Sequence, residues 1–295
     1  MKILITGSSG LIGSSICEEF KNLKYKIIQY DIKKNSKLNI ENSKLNKFLD
    51  QKKPDIIIHC AAHPGGLSNQ YPIQNCKTNI VGSMNLIHWC SINKKKLVFL
   101  SSSAVYEDGA KKLSENSKLG PGTIYGINKV ACENYIKLLS RKYKFKWLIL
   151  RLFATYGAGH SKNYYQGILN VIISQLRDKK NLVIKGSLKR RRDLISSSDV
   201  AKIIVKLTLS NKSNYTVNIG TGISTTILNL ISLVKKHINL NLVPKKIIVE
   251  RGTFGDPMNA VSDNKKLKKI LKSYKFEKIE DGVKNTLREL KVNKD

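Results

Sequence analysis

Tyr125 and Lys129 stand four residues apart in YGINK, where a helical pattern begins. On a helix that spacing puts both side chains on one face, with Cβ atoms about 5–6 Å apart. An ammonium beside a phenol favours the phenolate. A tyrosine so placed can trade a proton with an alcohol or a ketone. Residues 97–100 just upstream form an apolar run fit for a buried strand, and three serines, Ser101 to Ser103, end it. A serine at that strand end could hydrogen-bond the same substrate oxygen. Read alone, the pair is more often a half-buried tyrosine beside a solvated lysine, so the elements that would position it decide.

Those elements begin at the N-terminus. Residues 2–6 are apolar and β-favouring, GSSGLIG follows, and an apolar helical pattern runs to about residue 23. Gly7, Gly10 and Gly13 thus sit between a strand and a helix, the context that gives a glycine motif meaning. The first permits a tight turn, the second a close approach of phosphate, the third close helix–sheet packing. The amide-rich helix start would hold a pyrophosphate. Residues 26–30 read as a second strand with Asp31 at its end, roughly 20 residues past the glycines. An acid there accepts from both ribose hydroxyls of NAD and repels a 2′-phosphate, although Lys33 and Lys34 leave NADP open. Residues 55–62 form a third strand, with His59 read as a satisfied core histidine. His63 follows at that strand's C-terminal end, where ligands sit in such sheets. A helical period covers residues 70–92, and residues 146–152 are another strand.

Strand then helix, repeated about five times, implies an α/β fold with a doubly wound parallel sheet and right-handed crossovers. Beyond it, helices are expected near 166–178, 199–209, 226–237 and 264–271, and short strands near 182–185, 215–219 and 246–250. Asp199 reads as an N-cap. This half is expected to lean on the sheet, without a large core of its own, and to close a cleft over the sheet's C-terminal edge. The expected division is a dinucleotide-binding Rossmann domain over 1–160, to which part of 190–222 returns, and a smaller, partly interleaved α/β substrate domain over most of 161–295.

Composition narrows the classes. The chain has 295 residues, with 53 Lys and Arg against 21 Asp and Glu, a formal charge of +32. The lysines are spread along nearly every surface, and only Lys189 to Arg192 cluster tightly. Diffuse charge suits attraction of anionic phosphate ligands better than a nucleic-acid footprint. No uncharged apolar stretch approaches the length of a membrane span. The opening MKILITGSSG runs directly into strand-like sequence, so no signal peptide is expected. Five scattered cysteines, never spaced C-x-x-C, read as reduced thiols of a cytoplasmic protein with no metal site.

Taken together, TGSSGLIG (6–13), Asp31, HCAA (59–62), Asn79, SSAVY (102–106), YGINK (125–129), RLFATYG (151–157), RRD (191–193) with Asp199, NIGTG (218–222) and RGTFGDP (251–257) resemble the extended short-chain dehydrogenase/reductase family, in its nucleotide-sugar epimerase/dehydratase group. The resemblance spans almost the whole chain. It implies an NAD-dependent enzyme acting on a nucleotide-diphosphate sugar, working as a homodimer. It implies Ser102, Tyr125 and Lys129 as the catalytic set. Cofactor contacts would come from Gly7, Gly10, Leu11, Ile12, Gly13, Asp31, Ala61, Ala62 and Asn79, together with Tyr125 and Lys129. Substrate contacts would come from His63, Ser102, Ser103, Thr123, His160, Arg192 and Arg251, the two arginines on the diphosphate.

Departures from the family pattern trim the chemistry. Ser103 and Ala104 stand where the dehydratases carry acidic residues, so C5 deprotonation and 4,6-dehydration are not expected. Ala104 also replaces the cysteine of the similar 3,5-epimerase/reductases. Ala154 replaces the usual asparagine after RLF, and Glu107 the usual glycine after VY. Redox chemistry at sugar C4 remains, a 4-epimerase first, with a C4 dehydrogenase or 4-ketoreductase as the alternative. A non-catalytic dinucleotide sensor and, given the charge, an RNA-binding Rossmann protein are readings of another class.

Overall fold

The computed structural model describes residues 1–158, 167–178, 181–244 and 246–293. Strand β1 (Ile3–Thr6) leads through the glycine turn into helix α1 (Leu11–Asn22), followed by β2 (Ile27–Tyr30), α2 (Lys44–Lys52) and β3 (Ile56–His59). All four residues of β1 and of β3 are buried, as both-faces-covered parallel strands require. Helices α3 (Pro72–Cys76) and α4 (Ser83–Ile92) are joined by one π-helical stretch, Lys77–Gly82. Such a bulge frees backbone groups for other partners. Within this stretch the Asn79 carbonyl accepts from the Cys132 thiol at 3.1 Å. Then come β4 (Lys96–Ser102), α5 (Ile124–Tyr143), β5 (Trp147–Leu152) and β6 (Ala154–Tyr156).

The remaining elements are α6 (Ile168–Arg177), β7 (Leu182–Lys185), β8 (Arg191–Arg192), β9 (Leu194–Ser196), α7 (Ser197–Leu209), β10 (Tyr215–Ile219), β11 (Thr225–Thr226), α8 (Ile227–His237), β12 (Ile247–Glu250), β13 (Asn259–Ala260), α9 (Lys265–Leu271) and α10 (Ile279–Glu289). Six parallel strands make the central sheet in the order β2-β1-β3-β4-β5-β10. This is the doubly wound Rossmann arrangement. The strand order reverses between β1 and β3, which opens a crevice at their C-terminal ends.

Two apolar layers cover the sheet. One face packs Ile16, Cys17 and Phe20 of α1 against Val200, Ile203 and Ile204 of α7 and Leu267 of α9. The other face packs Leu86 and Cys90 of α4 with Cys132 and Ile136 of α5. A third cluster lies apart from both, built from Leu169 and Ile172 of α6, Leu230 and Val234 of α8, and Val283 and Leu287 of α10. The C-terminal half therefore does carry a core of its own. Its missing piece was α10, whose few apolar residues, Val283 and Leu287 among them, are diluted by charge so that no helix is read there from sequence.

Asp199 is not the N-cap of α7. Ser196 takes that place, its hydroxyl accepting from the Asp199 amide at 3.2 Å. The Asp199 carboxylate instead accepts from the Tyr274 hydroxyl at 2.7 Å and the Glu277 amide at 2.8 Å. It ties the approach to α10 onto the Rossmann layer. Among the described residues, no helix is long and apolar enough to cross a membrane.

Candidate functional site

The glycine turn is built by close approach. Gly7 has φ +64°, and a Cβ there would lie 2.6 Å from the Ala61 nitrogen. Only glycine lets β1 leave the sheet so tightly against β3. The turn is closed by the Gly7 amide donating to the Tyr30 carbonyl at 2.9 Å and the Gly10 amide to the Gly7 carbonyl at 3.0 Å. No side chain caps the start of α1 at Gly10. Its first-turn amides are thus left for an anion. Beside them Asp31, 7% exposed, accepts from the Ser9 amide at 2.8 Å and the Lys33 amide at 2.8 Å. Each carboxylate oxygen keeps a lone pair to offer. Uncapped amides, a turn without side chains and an adjacent fixed carboxylate fit the pyrophosphate and adenosine ribose of NAD.

Across the crevice, β4 ends at Ser102 and α5 begins at Ile124. Thr123 caps α5, its hydroxyl accepting from the Gly126 amide at 3.1 Å. A Cβ on Gly126 would fall 2.2 Å from the Ala104 carbonyl oxygen. This glycine lets the first turn of α5, which carries Tyr125, press onto the backbone just past Ser102. Lys129 is 3% exposed; its ammonium donates to the Leu100 carbonyl at 2.7 Å and lies 5.5 Å from the Tyr125 ring centre and 4.7 Å from that of Phe99. The Ser102 hydroxyl accepts from the Ala104 amide at 3.1 Å, which orients it and leaves its proton to donate.

Behind this wall, His59 is hydrogen-bonded to Thr6 at 2.7 Å and to Ser83 at 2.9 Å. Burial, and secondly the Lys129 charge, hold its pKa down at about 3. It is the satisfied core histidine expected from sequence.

One open cleft of about 650 Å³ is lined by Gly7, Gly10, Leu11, Ile12, Gly13, Asp31, Ala61, Ala62, His63, Ser102, Tyr125 and Lys129 together. Residues called from five separate stretches of chain therefore meet on one surface.

Other residues expected at the site lie elsewhere. Asn79 is 1% exposed and sits behind the wall, accepting from the His63 amide at 2.8 Å. Ser103 and Thr123 belong to the turns flanking Ser102 and Tyr125, outside the cleft lining. Arg192 is not a solvated charge. It pairs with Asp256 at 2.8 Å, and Arg190 pairs with the same carboxylate, so RRD and GDP hold each other. Arg251 is exposed just past β12. His160 lies outside the described residues. Glu107 pairs with Lys118 at 2.9 Å on the surface.

Two buried carboxylates escaped sequence reasoning. Glu133, one turn beyond Lys129, accepts from Arg151 at 2.9 and 2.6 Å and from Ser101 at 2.6 Å. Arg151 also donates to Tyr106 at 3.0 Å, and Tyr106 donates to Asn218 at 2.6 Å. This network locks α5 to β4, β5 and β10. Asp193, with no exposed surface, accepts from the amides of Thr221, Gly222 and Ser262 and the hydroxyls of Thr221 and Ser262. The signal was present in the i, i+4, i+8 run Tyr125, Lys129, Glu133, whose last member would face the sheet.

Residues 3–220 match the NAD dependent epimerase/dehydratase family, and the chain belongs to that family. It is thus an NAD-dependent enzyme of a group defined by a Rossmann sheet. Among relatives, a putative UDP-glucose 4-epimerase of Methanocaldococcus jannaschii is 29% identical over 308 aligned residues, covering 99% of each chain. The dTDP-4-dehydro-6-deoxyglucose reductase of Escherichia coli is 24% identical, over 87% of this chain and 85% of its own. In three dimensions, the UDP-glucose 4-epimerase of Thermotoga maritima, solved with UDP-glucose, superposes with a TM-score of 0.89 at 24% identity, over 99% of both chains.

Proposed function

We propose that the protein is a nucleotide-sugar 4-epimerase working through its own bound NAD. The observation that supports this most is the shared cleft: the glycine turn and Asp31 face the same space as Ser102, Tyr125 and Lys129. The glycine turn and Asp31 would hold NAD, which would supply the hydride acceptor and later donor. Tyr125 takes the proton of the C4 hydroxyl and later returns it to the same oxygen. Lys129, its ammonium bonded to the Leu100 carbonyl and 5.5 Å from the Tyr125 ring centre, would hold the nicotinamide ribose of a bound NAD. Ser102 donates its free proton to the C4 oxygen. The 4-keto sugar then turns over and is reduced on its other face. Ser103 and Ala104 offer no group to move a C5 proton, so dehydration does not compete.

The substrate side rests on the segments after Tyr156. In this reading most of 161–295 binds the sugar nucleotide, while part of 190–222 returns to the Rossmann layer. The exposed guanidinium of Arg251 grips the diphosphate, since its planar fork suits phosphate. Ile127, Tyr135 and Leu138 form an exposed stripe along α5, and Val81 and Ile92 are exposed at either end of α4, which packs on α5. Covering that stripe with a second copy makes the protein a homodimer. All five cysteines are unpaired, which suits the reducing cytoplasm.

The test is incubation of the purified protein with UDP-glucose, UDP-N-acetylglucosamine and UDP-glucuronic acid, following 4-epimer formation by NMR. A 4-epimer without net NADH supports the proposal. A 4-keto product with stoichiometric NADH would identify a dehydrogenase instead.

A further inference from the structure

His63 borders the cleft, and its surroundings fix where its ring proton sits. The His63 backbone amide can only donate. It donates to Asn79 Oδ1 at 2.8 Å, which fixes the orientation of that side-chain amide. Asn79 Nδ2 is then the donor, to the His63 carbonyl at 3.0 Å and to Asn75 Oδ1 at 2.9 Å. Asn75 Oδ1 also accepts from Asn128 Nδ2 at 2.9 Å, so the Asn75 amide is fixed as well. Its Nδ2 therefore faces the His63 side, donating to the Pro64 carbonyl at 3.3 Å and to His63 Nδ1 at 3.0 Å. A ring nitrogen that receives such a bond carries no proton. The asparagines are 0%, 1% and 2% exposed at Asn75, Asn79 and Asn128, so water does not compete for these bonds.

The imidazole proton is thereby assigned to Nε2, which bonds to no other described residue. The loop that carries the ring is pressed on the site: a Cβ on Gly65 would stand 3.1 Å from the Tyr125 ring. The ring itself packs edge-on against Tyr71, at 6.4 Å between centres. Asn128 lies between Tyr125 and Lys129 on α5, so the same amide chain ties the loop to the helix that bears them.

We propose that His63 is a substrate-positioning residue, a neutral imidazole locked with its proton on Nε2, which donates a hydrogen bond to an oxygen of the sugar beside Tyr125. This rests on the nucleotide-sugar reading above. A neutral donor orients a hydroxyl or keto oxygen without holding it as a counter-ion would, so the keto sugar stays free to turn over. No proton is transferred by His63 in this role.

The experiment has two parts on the full-length protein with its bound NAD. Long-range ¹H–¹⁵N NMR, with the His63 signals assigned by their loss in His63→Gln, reads the tautomer. Kinetics on the best UDP-sugar compare wild type with His63→Gln, whose amide reaches the Nε2 position, and His63→Asn, whose amide reaches only the Nδ1 position. The expected results are a protonated Nε2 and a bare Nδ1. His63→Asn should lose roughly 10-fold or more in kcat/KM, about the worth of one hydrogen bond to a substrate oxygen. His63→Gln should recover most of it, and NAD content should be equal in all three. A proton on Nδ1, or equal kcat/KM in His63→Asn and wild type, would overturn the inference. If the wild type itself turns over none of the sugars, the epimerase reading fails, and the NMR result still decides the tautomer.

Discussion

Glu133 and Arg151 form a two-point ion pair inside the protein, with N–O distances of 2.9 and 2.6 Å and side chains 0% and 3% exposed. Glu133 lies on α5, the helix of Tyr125 and Lys129, and Arg151 lies on β5. The pair therefore sets the height of the proposed catalytic helix on the sheet. Glu133→Ala leaves a buried guanidinium without its partner and should cost about 3–5 kcal/mol. Replacing both residues with methionine should recover much of that stability, because an apolar pair often matches a buried ionic one. Urea denaturation of the single and double variants checks this. A Glu133→Ala loss below about 1 kcal/mol would mean that the pair is not holding the helix.

Tyr125→Phe removes a hydroxyl and leaves the ring against Gly65. Fold and NAD content should be unchanged. Turnover should fall by roughly 10²–10⁴-fold, the usual worth of a general acid–base group. Wild-type rates in this variant would make the Tyr125–Lys129 pair structural.

NAD should bind at least about 10-fold more tightly than NADP, because Asp31 is held by the Ser9 and Lys33 amides with both oxygens still able to accept. A 2′-phosphate would meet that fixed negative charge. Calorimetric titration of cofactor-free protein with each dinucleotide measures the ratio. Tighter NADP binding would shift the recognition to Lys33 and Lys34, the second of which now bonds Gln29.

His59 has a folded-state pKa of about 3, lowered by burial and then by Lys129, against 6.5 when exposed. Between those values the unfolded chain binds a proton that the native protein does not. The histidine's contribution is therefore complete above pH 6.5 and is lost as pH falls toward 3, at up to about 1.4 kcal/mol per pH unit. His59→Gln should flatten the acid limb of a stability–pH curve by about one proton relative to wild type. Parallel acid limbs would show that His59 titrates normally in the folded protein.

Much of this was legible from the amino-acid order. The β1 turn, Asp31, Tyr125 and Lys129 could be picked out because each is fixed by its place at the end of a strand or the start of a helix, whereas the strand end offers three serines and only the family resemblance singles out Ser102. The crevice follows once five strand–helix repeats are counted. Less visible were groups whose partners are remote in sequence. Asp193 gathers its donors from around residues 221 and 262, and Arg192 is claimed by Asp256, so neither role shows in local spacing. Ser196 and Asp199 both suit the cap of α7 by residue type, and only the pull of Tyr274 and Glu277 on Asp199 decides between them. The core of the C-terminal half was hidden for a related reason: α10 carries a thin apolar stripe that gains meaning only against α6 and α8.

In the proposed cycle hydride leaves C4 and returns to it within one cleft. UDP-glucose carrying deuterium at C4, incubated with the NAD-loaded protein in ordinary water and followed by NMR, tests it most directly. The account predicts the 4-epimer with deuterium still at C4 and no free NADH. A 4-epimer with solvent hydrogen at C4, or no 4-epimer from any UDP-sugar supplied, would contradict it.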